Sequence, residues 1–426
     1  MKERAINPIA QIMLRQAAAP DWLVGLLVGS VPAAIGMFLS PFASVKSDRH
    51  RGRWGRRIPF ILFPTPLIVL MMVGLAFSPE IGNWAQRALG FGVRSQPMCR
   101  IAVFGLFWTL LEIATIIVNS IVNALVNDVV PQGLIGRFYG LFRFVSLFAG
   151  ILFNYYLIGK VDAHYRVLLL VLAGIYGIGF IMMGLRVREG TYPPPPPMSD
   201  HSHGRLSAVV SFFRESFTHP FYLWFFAANT LANLAIAPIN TYSIFHARSV
   251  GMSDGTYGKC IALSYACSLV LAYPLGALAD KIHPLRMGII FITLYGMGTT
   301  YGFFYGTTAP RFFIAMFLHT VISGCFFTGT SSIGQRLLPR SKFGEISAAG
   351  GIVGAVAGMF LPPALGLFIK EMNHDYRYAF LLGSILTVAA VVCYAVVLHM
   401  FKQLGGDEHY CAPEETEPCA SDPPAH

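Results

Sequence analysis

Apolar residues run along this chain in blocks of about twenty, the length that crosses a bilayer as a helix, with polar and charged residues gathered between them. The blocks predict spans at residues 21–43, 59–77, 101–126, 138–158 and 165–185. After a polar interval they resume at 221–246, 257–278, 287–304, 312–333, 344–369 and 378–400, eleven in all. Residues 1–20 set Lys2, Glu3, Arg4, Gln11 and Arg15 around a thin apolar face. They predict a short helix lying on the membrane surface, and no apolar core of signal-peptide length follows the charges. The interval 188–218 holds consecutive prolines from Pro193 to Pro197, which no helix accommodates. Its second part places Leu206, Val209, Val210, Phe212, Phe213 and Phe217 at helical spacing and predicts another surface helix. The acidic, Pro-rich end predicts no fixed structure. The expected organisation is an N-terminal bundle (1–187), a linker (188–218), a C-terminal bundle (219–402) and a tail (403–426).

Composition sharpens this into an all-α polytopic membrane protein. With 55% hydrophobic residues, 12% charged residues and a mean hydropathy of +0.58, the chain is too apolar for a soluble globule of its length. A net charge of +10 raises the question of nucleic acid, but the bases lie in short loops beside apolar spans, as the cytoplasmic face of a membrane protein requires. The cysteines are scattered, with Cys260, Cys267, Cys325 and Cys393 in spans and Cys411 and Cys419 in the tail, so no disulfide or metal framework follows. No enzyme motif and no cofactor are expected.

The densest charge lies in Ser44 to Phe60, where Lys46, Arg49, Arg51, Arg53, Arg56 and Arg57 crowd around Asp48. Each such charge costs roughly 2.5 to 3.5 kcal/mol at the centre of a membrane helix, so the loop lies outside the bilayer and, being basic, on the cytoplasmic side. The same bias puts the loops near Arg188, Lys281 and Arg340 inside, and those near Trp84, Asp162 and Asp375 outside. The pattern recurs. Gly276 to Lys281 with Asp280, and Arg286 beyond, repeats the first loop; Pro339 and Gly344 repeat Pro131 and Gly136. Two ordered matches predict duplicated halves.

Asp48-Arg49 followed by Gly55-Arg56-Arg57 resembles the loop between helices 2 and 3 of major facilitator transporters. Arg53-Trp54-Gly55-Arg56-Arg57-Ile58-Pro59-Phe60 resembles more narrowly the glycoside, pentoside and hexuronide cation symporters and the related sucrose carriers, although Ser44 stands where that family carries Gly. The resemblance implies twelve helices in two pseudo-symmetric bundles. Asp280 follows the second span of its half whereas Asp48 follows the first span of the chain, so helix 1 is expected to be absent.

It also implies that helices 1, 4, 7 and 10 line the solute path. On the expected helix 4, Trp108, Glu112, Asn119, Asn123 and Asn127 share one face; helix 7 carries Asn229, Asn233 and Asn240, and helix 10 carries His319, Ser323 and Thr330. Such groups also serve as glue between helices, for roughly 0.6 to 2 kcal/mol each. Amides and an indole suit a polyhydroxylated solute, since amides donate and accept while an aromatic face covers a sugar ring. A mid-span acid holds its proton until a cation arrives, so Glu112 is the expected coupling residue, with His319 as a second proton carrier. Sodium coupling of the family kind lacks its usual acid before Asp48. Asp48, Arg49, Arg56, Arg57, Asp128, Arg137, Asp280, Lys281 and Lys342 are the expected gating charges. Asp48 is expected to reach the start of helix 11 near Arg340 and Lys342, and Asp280 the start of helix 5 near Arg137, against the plainer reading that Asp48 neutralises its own loop.

The expectation is a monomeric, cation-coupled symporter of a sugar or glycoside-like solute in the inner or plasma membrane, coupled to protons or sodium and binding no nucleic acid. A carrier of an organic anion or drug, or a non-transporting membrane assembly factor, fits the same features.

Overall fold

The structure is a computed structural model and describes residues 2–52, 54–90, 92–130, 134–189, 217–339 and 343–413. Its helices are α1 (Asn7–Gln16), α2 (Asp21–Gly25), α3 (Val31–Arg49), α4 (Ile58–Leu62), α5 (Pro64–Ala76), α6 (Ser78–Ala88), α7 (Gln96–Val129), α8 (Ile135–Tyr156) and α9 (Val161–Arg186). There follow α10 (Pro220–Ser249), α11 (Asp254–Lys281), α12 (Pro284–Tyr305), α13 (Ala309–Gly329), α14 (Ile333–Leu337), α15 (Phe343–Glu371), α16 (Tyr378–Gln403) and α17 (Gly406–His409). Among the described residues, nine helical stretches are long and apolar enough to cross a membrane. The two remaining expected spans, 138–158 and 257–278, fall on α8 and α11.

The first span runs unbroken from Asp21 to Arg49 although Pro32 lies inside it. A proline ring clashes with the carbonyl four residues back, and the wider π-helical turn Leu26–Ser30 just before it takes up that mismatch.

The chain forms two compact units, one of Met1–Met198 with Ser253–Ala262 and Gly358–His374, the other of Ser199–Met252, Leu263–Ala357 and Asp375–His426. Two short segments of the second half, on α11 and α15, therefore belong with the first.

In the first unit α7 packs against α3, α5 and α6, and α5 packs against α9. The N-terminal helix differs from the surface segment expected. Ile6, Ile9, Ala10, Ile12, Met13 and Leu14 are buried, with α1 against α9 and the turn before it against α8. Arg4 Nε donates to Ser146 Oγ at 3.1 Å and Gln16 Nε2 to Asp162 Oδ1 at 2.9 Å, so protein and not a lipid surface covers its apolar stripe. The α15 segment crosses the first span closely. A Cβ on Gly366 would stand 2.6 Å from the backbone of Asp21, and Pro362 occupies the space beside Gly29. At the end of this seam His374 Nδ1 lies 2.6 Å from Asp21 Oδ2.

In the second unit α16 lies against α10 and α12, and α12 against α13. Buried aromatic residues fill the joints, and polar groups among them find partners: the Tyr394 hydroxyl donates to Asn229 Oδ1 at 3.1 Å, and the half-buried Ser384 Oγ to Thr299 Oγ1 at 3.0 Å. Such pairing is what a buried hydroxyl in apolar surroundings demands.

Candidate functional site

The basic loop after α3 folds into a charge cluster within the first unit. His50 turns extended and ends α3, and Gly55 closes a tight reversal by donating its N–H to Gly52 O at 3.1 Å. Gly55 holds φ +95°, a conformation that favours glycine. The next residues enter α4, whose first N–H groups have no partner inside the helix. Glu189, three residues beyond the end of α9, supplies one: its carboxylate accepts from the N–H of Arg56 at 2.9 Å and from those of Arg57 and Ile58 at 2.8 Å each. An anion at a helix start also meets the positive end of the helix dipole. Gly55 is required a second time here, because a Cβ on it would lie 2.6 Å from the Glu189 carboxylate.

The cap aims both guanidinium groups at the ends of α3 and α7. Arg56 Nη2 meets Asp128 Oδ1 at 2.8 Å and Arg57 Nε meets Asp128 Oδ2 at 2.9 Å. Arg57 also reaches Asp48 Oδ1 at 2.5 Å and donates to Ser47 Oγ at 2.5 Å. Asp128 lies in the last turn of α7, where the helix dipole disfavours an acid, so the two cations stabilise its charge. Only 6% of the Arg57 side chain and 15% of Asp128 are accessible, against 50% of Asp48, so Arg57–Asp128 is the shielded pair and Asp48 the wetter one. Among the described residues, Asp48 pairs with Arg56 and Arg57 of its own loop. Arg49 and Lys281 are exposed at the ends of α3 and α11. The side chains of Arg137 and Asp280, and Arg340 and Lys342 entirely, lie outside the described residues.

The polar stripe of α7 divides. Trp108 and Glu112 are fully buried; the Trp108 indole stacks on Phe104 and donates to Leu27 O at 2.8 Å, fastening α7 to the first span. Asn119 and Asn123 are exposed, and the Asn127 side chain lies outside the described residues. In the second unit Asn229 is occupied with Tyr394, while Asn233 and Asn240 are exposed. His319 is buried with both ring nitrogens engaged, Nε2 at 3.0 Å from Asn240 Oδ1 and Nδ1 at 2.9 Å from the Tyr295 hydroxyl. One neutral tautomer satisfies both, donating from Nε2 and accepting at Nδ1. Ser323 is buried and donates to Thr320 O on its own helix at 3.2 Å.

Sequence reasoning missed Glu189 and Tyr295. An acid shortly after a span, facing a Gly-Arg-Arg-Ile-Pro helix start, was the available signal for Glu189; Tyr295 gives none, because its partner is tertiary.

Three comparisons bear on this architecture. The model of the family described as MFS/sugar transport protein matches residues 17–341. No curated protein sequence matches. Among solved structures, the chain is similar to a D-xylose-proton symporter, with TM-score 0.68 and 14% identity over 92% of this chain and 93% of that one. It is also similar to a bacterial homologue of the human lysosomal transporter Spinster, inward-facing and occupied, with TM-score 0.67 and 13% identity over 96% and 95%. The nucleoside transporter NupG gives TM-score 0.66 and 10% identity over 93% and 96%. Identities this low speak to fold alone. The family model covers most of the chain, and its helical architecture is that of these carriers, so the chain belongs to the MFS/sugar transport protein family of membrane transporters.

Proposed function

We propose that this transporter carries a sugar or glycoside-like solute by alternating access, coupled to a cation and most simply to a proton. The observation that carries the reading is the exposure of amides on an otherwise apolar helix within each unit, Asn119 and Asn123 on α7 of the first and Asn233 and Asn240 on α10 of the second. Amides facing hydrocarbon would each leave polar groups unsatisfied, whereas amides facing a polyhydroxylated solute exchange donors and acceptors with it. The family's description and the fold shared with a D-xylose-proton symporter support the same class. In this reading the Asn229 carbonyl, which accepts from Asn233 Nδ2 at 2.8 Å, and His319, which meets Asn240 Oδ1, hold the exposed amides in place, Ser323 lies on the same helix as His319, and Trp108 holds α7 on the first span. Glu112, fully buried on the same helix, takes the coupling proton. Asp48, Arg49, Arg56, Arg57 and Asp128, with Arg137, Asp280, Lys281 and Lys342 in the repeat, act as gating charges.

Proteoliposomes given a panel of radiolabelled sugars, with either an imposed proton gradient or an imposed sodium gradient, test the reading. Uphill uptake of a sugar driven by the proton gradient is expected. Glu112→Gln keeps the shape and removes titration; it should lose accumulation against a gradient and retain exchange. Nucleosides or organic anions moving while no sugar does would assign another solute class, and accumulation by the Glu112→Gln protein would remove the coupling role.

A further inference from the structure

The tail beyond α16 does not trail away; it returns across the unit it leaves. Gly405 and Gly406 take positive φ of +108° and +64° and reverse the chain after Gln403. Cys411, for which the sequence led to no disulfide, is disulfide-bonded; its N–H donates to Leu404 O at 3.2 Å, and Ala412 is buried. Tyr410 sets its ring against Phe401 at 4.9 Å between centroids, and its hydroxyl donates to Leu337 O at 2.7 Å. Leu337 is the last residue of α14, whose terminal carbonyls lack helical donors. The Tyr222 hydroxyl, in the first turn of α10, donates to Pro413 O at 2.6 Å. Between these anchors Asp407 Oδ2 meets Arg286 Nη2 at 2.5 Å.

Arg286, in the first turn of α12, is the base that follows Asp280 and Lys281 in the loop that repeats the Asp48 loop. In the first half the loop bases Arg56 and Arg57 find Asp128, three residues before Pro131. Three residues before the matching Pro339 stands Arg336, a base where the first half has an acid. The second half has therefore exchanged the sign at the end of the equivalent helix, and like charges gather there. His283, which caps α12, senses them: burial pushes its pKa below the usual 6.5, Asp407 pulls it up, and Arg336 and Arg286 push it down.

From this juxtaposition we infer that Asp407, carried back on the segment Leu404–Pro413, does in the second half what Asp128 does in the first, neutralising and positioning the base of the repeat loop, with Tyr410 as its anchor. The tail segment is thereby a working part of that end of the carrier. The role is independent of the solute carried. The Asp407–Arg286 pair is nearly half exposed, so its attraction alone is modest and the Tyr410 and Tyr222 contacts fix the geometry in which it acts.

Hydrogen exchange on the full chain in lipid nanodiscs, read by mass spectrometry over residues 283–290 and 404–413, tests this without any transport assay. Asp407→Asn should speed exchange in both segments about two- to fivefold. Asp407→Arg should speed it further, and the swap of Asp407→Arg with Arg286→Asp should restore protection toward the parent. Tyr410→Phe, which keeps the ring and loses the hydroxyl, should release residues 404–413 and serves if a charge variant fails to fold, as judged by exchange around Tyr394. Unchanged exchange in Asp407→Asn, or a swap no better protected than Asp407→Arg, would overturn the inference and leave a tail held without the charge pair; unchanged exchange in Tyr410→Phe would remove the anchor.

Discussion

Gly55 lies directly beneath the Glu189 carboxylate, at φ +95° and with a Cβ position 2.6 Å from it, so one residue without a side chain both turns the chain and leaves room for the cap on α4. Gly55→Ala combines left-handed strain with displacement of an anion held by three N–H groups. It should cost about 1 to 3 kcal/mol. Glu189→Gln, which keeps an acceptor and loses the charge, should cost about 1 to 2 kcal/mol. Thermal unfolding in detergent ranks the two, and a Gly55→Ala protein as stable as the parent would contradict the geometry.

Asp128→Asn leaves Arg57, which is almost wholly shielded, with the wetter Asp48 as its remaining carboxylate. Breaking the pair from one side should cost about 1 to 3 kcal/mol, less than a fully buried pair because water reaches part of Asp128. A double-mutant cycle of Asp128→Asn with Arg57→Gln should return a coupling of about 1 kcal/mol or more, while the cycle with Asp48→Asn in place of Asp128→Asn should give less.

The seam between α15 and the first span predicts a contrast between two glycines. Gly366→Ala puts a methyl group against the Asp21 backbone and should destabilise by about 1 to 3 kcal/mol, since neither backbone yields easily. Gly36→Ala, in the interior of α3 with nothing within 4 Å of the new methyl, should be neutral or gain up to about 1 kcal/mol from helix propensity. Equal effects in unfolding measurements would argue against the close crossing.

His283 makes one corner of the second unit sensitive to pH. Its pKa is lowered from 6.5, first by burial, so the unfolded chain binds the proton more readily. The stability tied to a neutral His283 is present above 6.5 and is lost as the pH falls through the lowered value. Asp407→Asn removes the charge that raises this pKa and should lower it further, whereas Arg286→Gln or Arg336→Gln should raise it. Ring-proton titration from about pH 8 to about pH 5 reads all three directions.

Asp375 provides a case in which opposed effects set the sign. Burial raises its pKa, but the hydrogen bonds and charge of Arg377 outweigh burial and leave it lowered. Arg377→Gln should therefore raise the Asp375 pKa and remove stability that is present above the ordinary carboxylate value of 3.8 and lost as the pH falls through the lowered one.

The sequence by itself determined that the chain is an all-α membrane protein built of long apolar helices, the breaks between them and the loop in which charge concentrates. These are local properties: an apolar run of about twenty residues, a proline or a string of arginines has the same consequence whatever it packs against. The family was legible for the same reason, since Asp48, Gly55, Arg56 and Arg57 lie in one short stretch. What the sequence could not decide was choice among partners. Asp48 stood within reach of several bases, and only the tertiary approach of α7 and the Glu189 cap brings Arg57 to both Asp48 and Asp128. The α7 stripe reads as one face by periodicity, yet its first part is covered where Leu27 meets Trp108 and Asn119 and Asn123 stay exposed, because burial depends on where a neighbouring helix lies. The same limit hid the packed N-terminal helix and the return of Asp407 to Arg286, each of which joins residues more than a hundred positions apart.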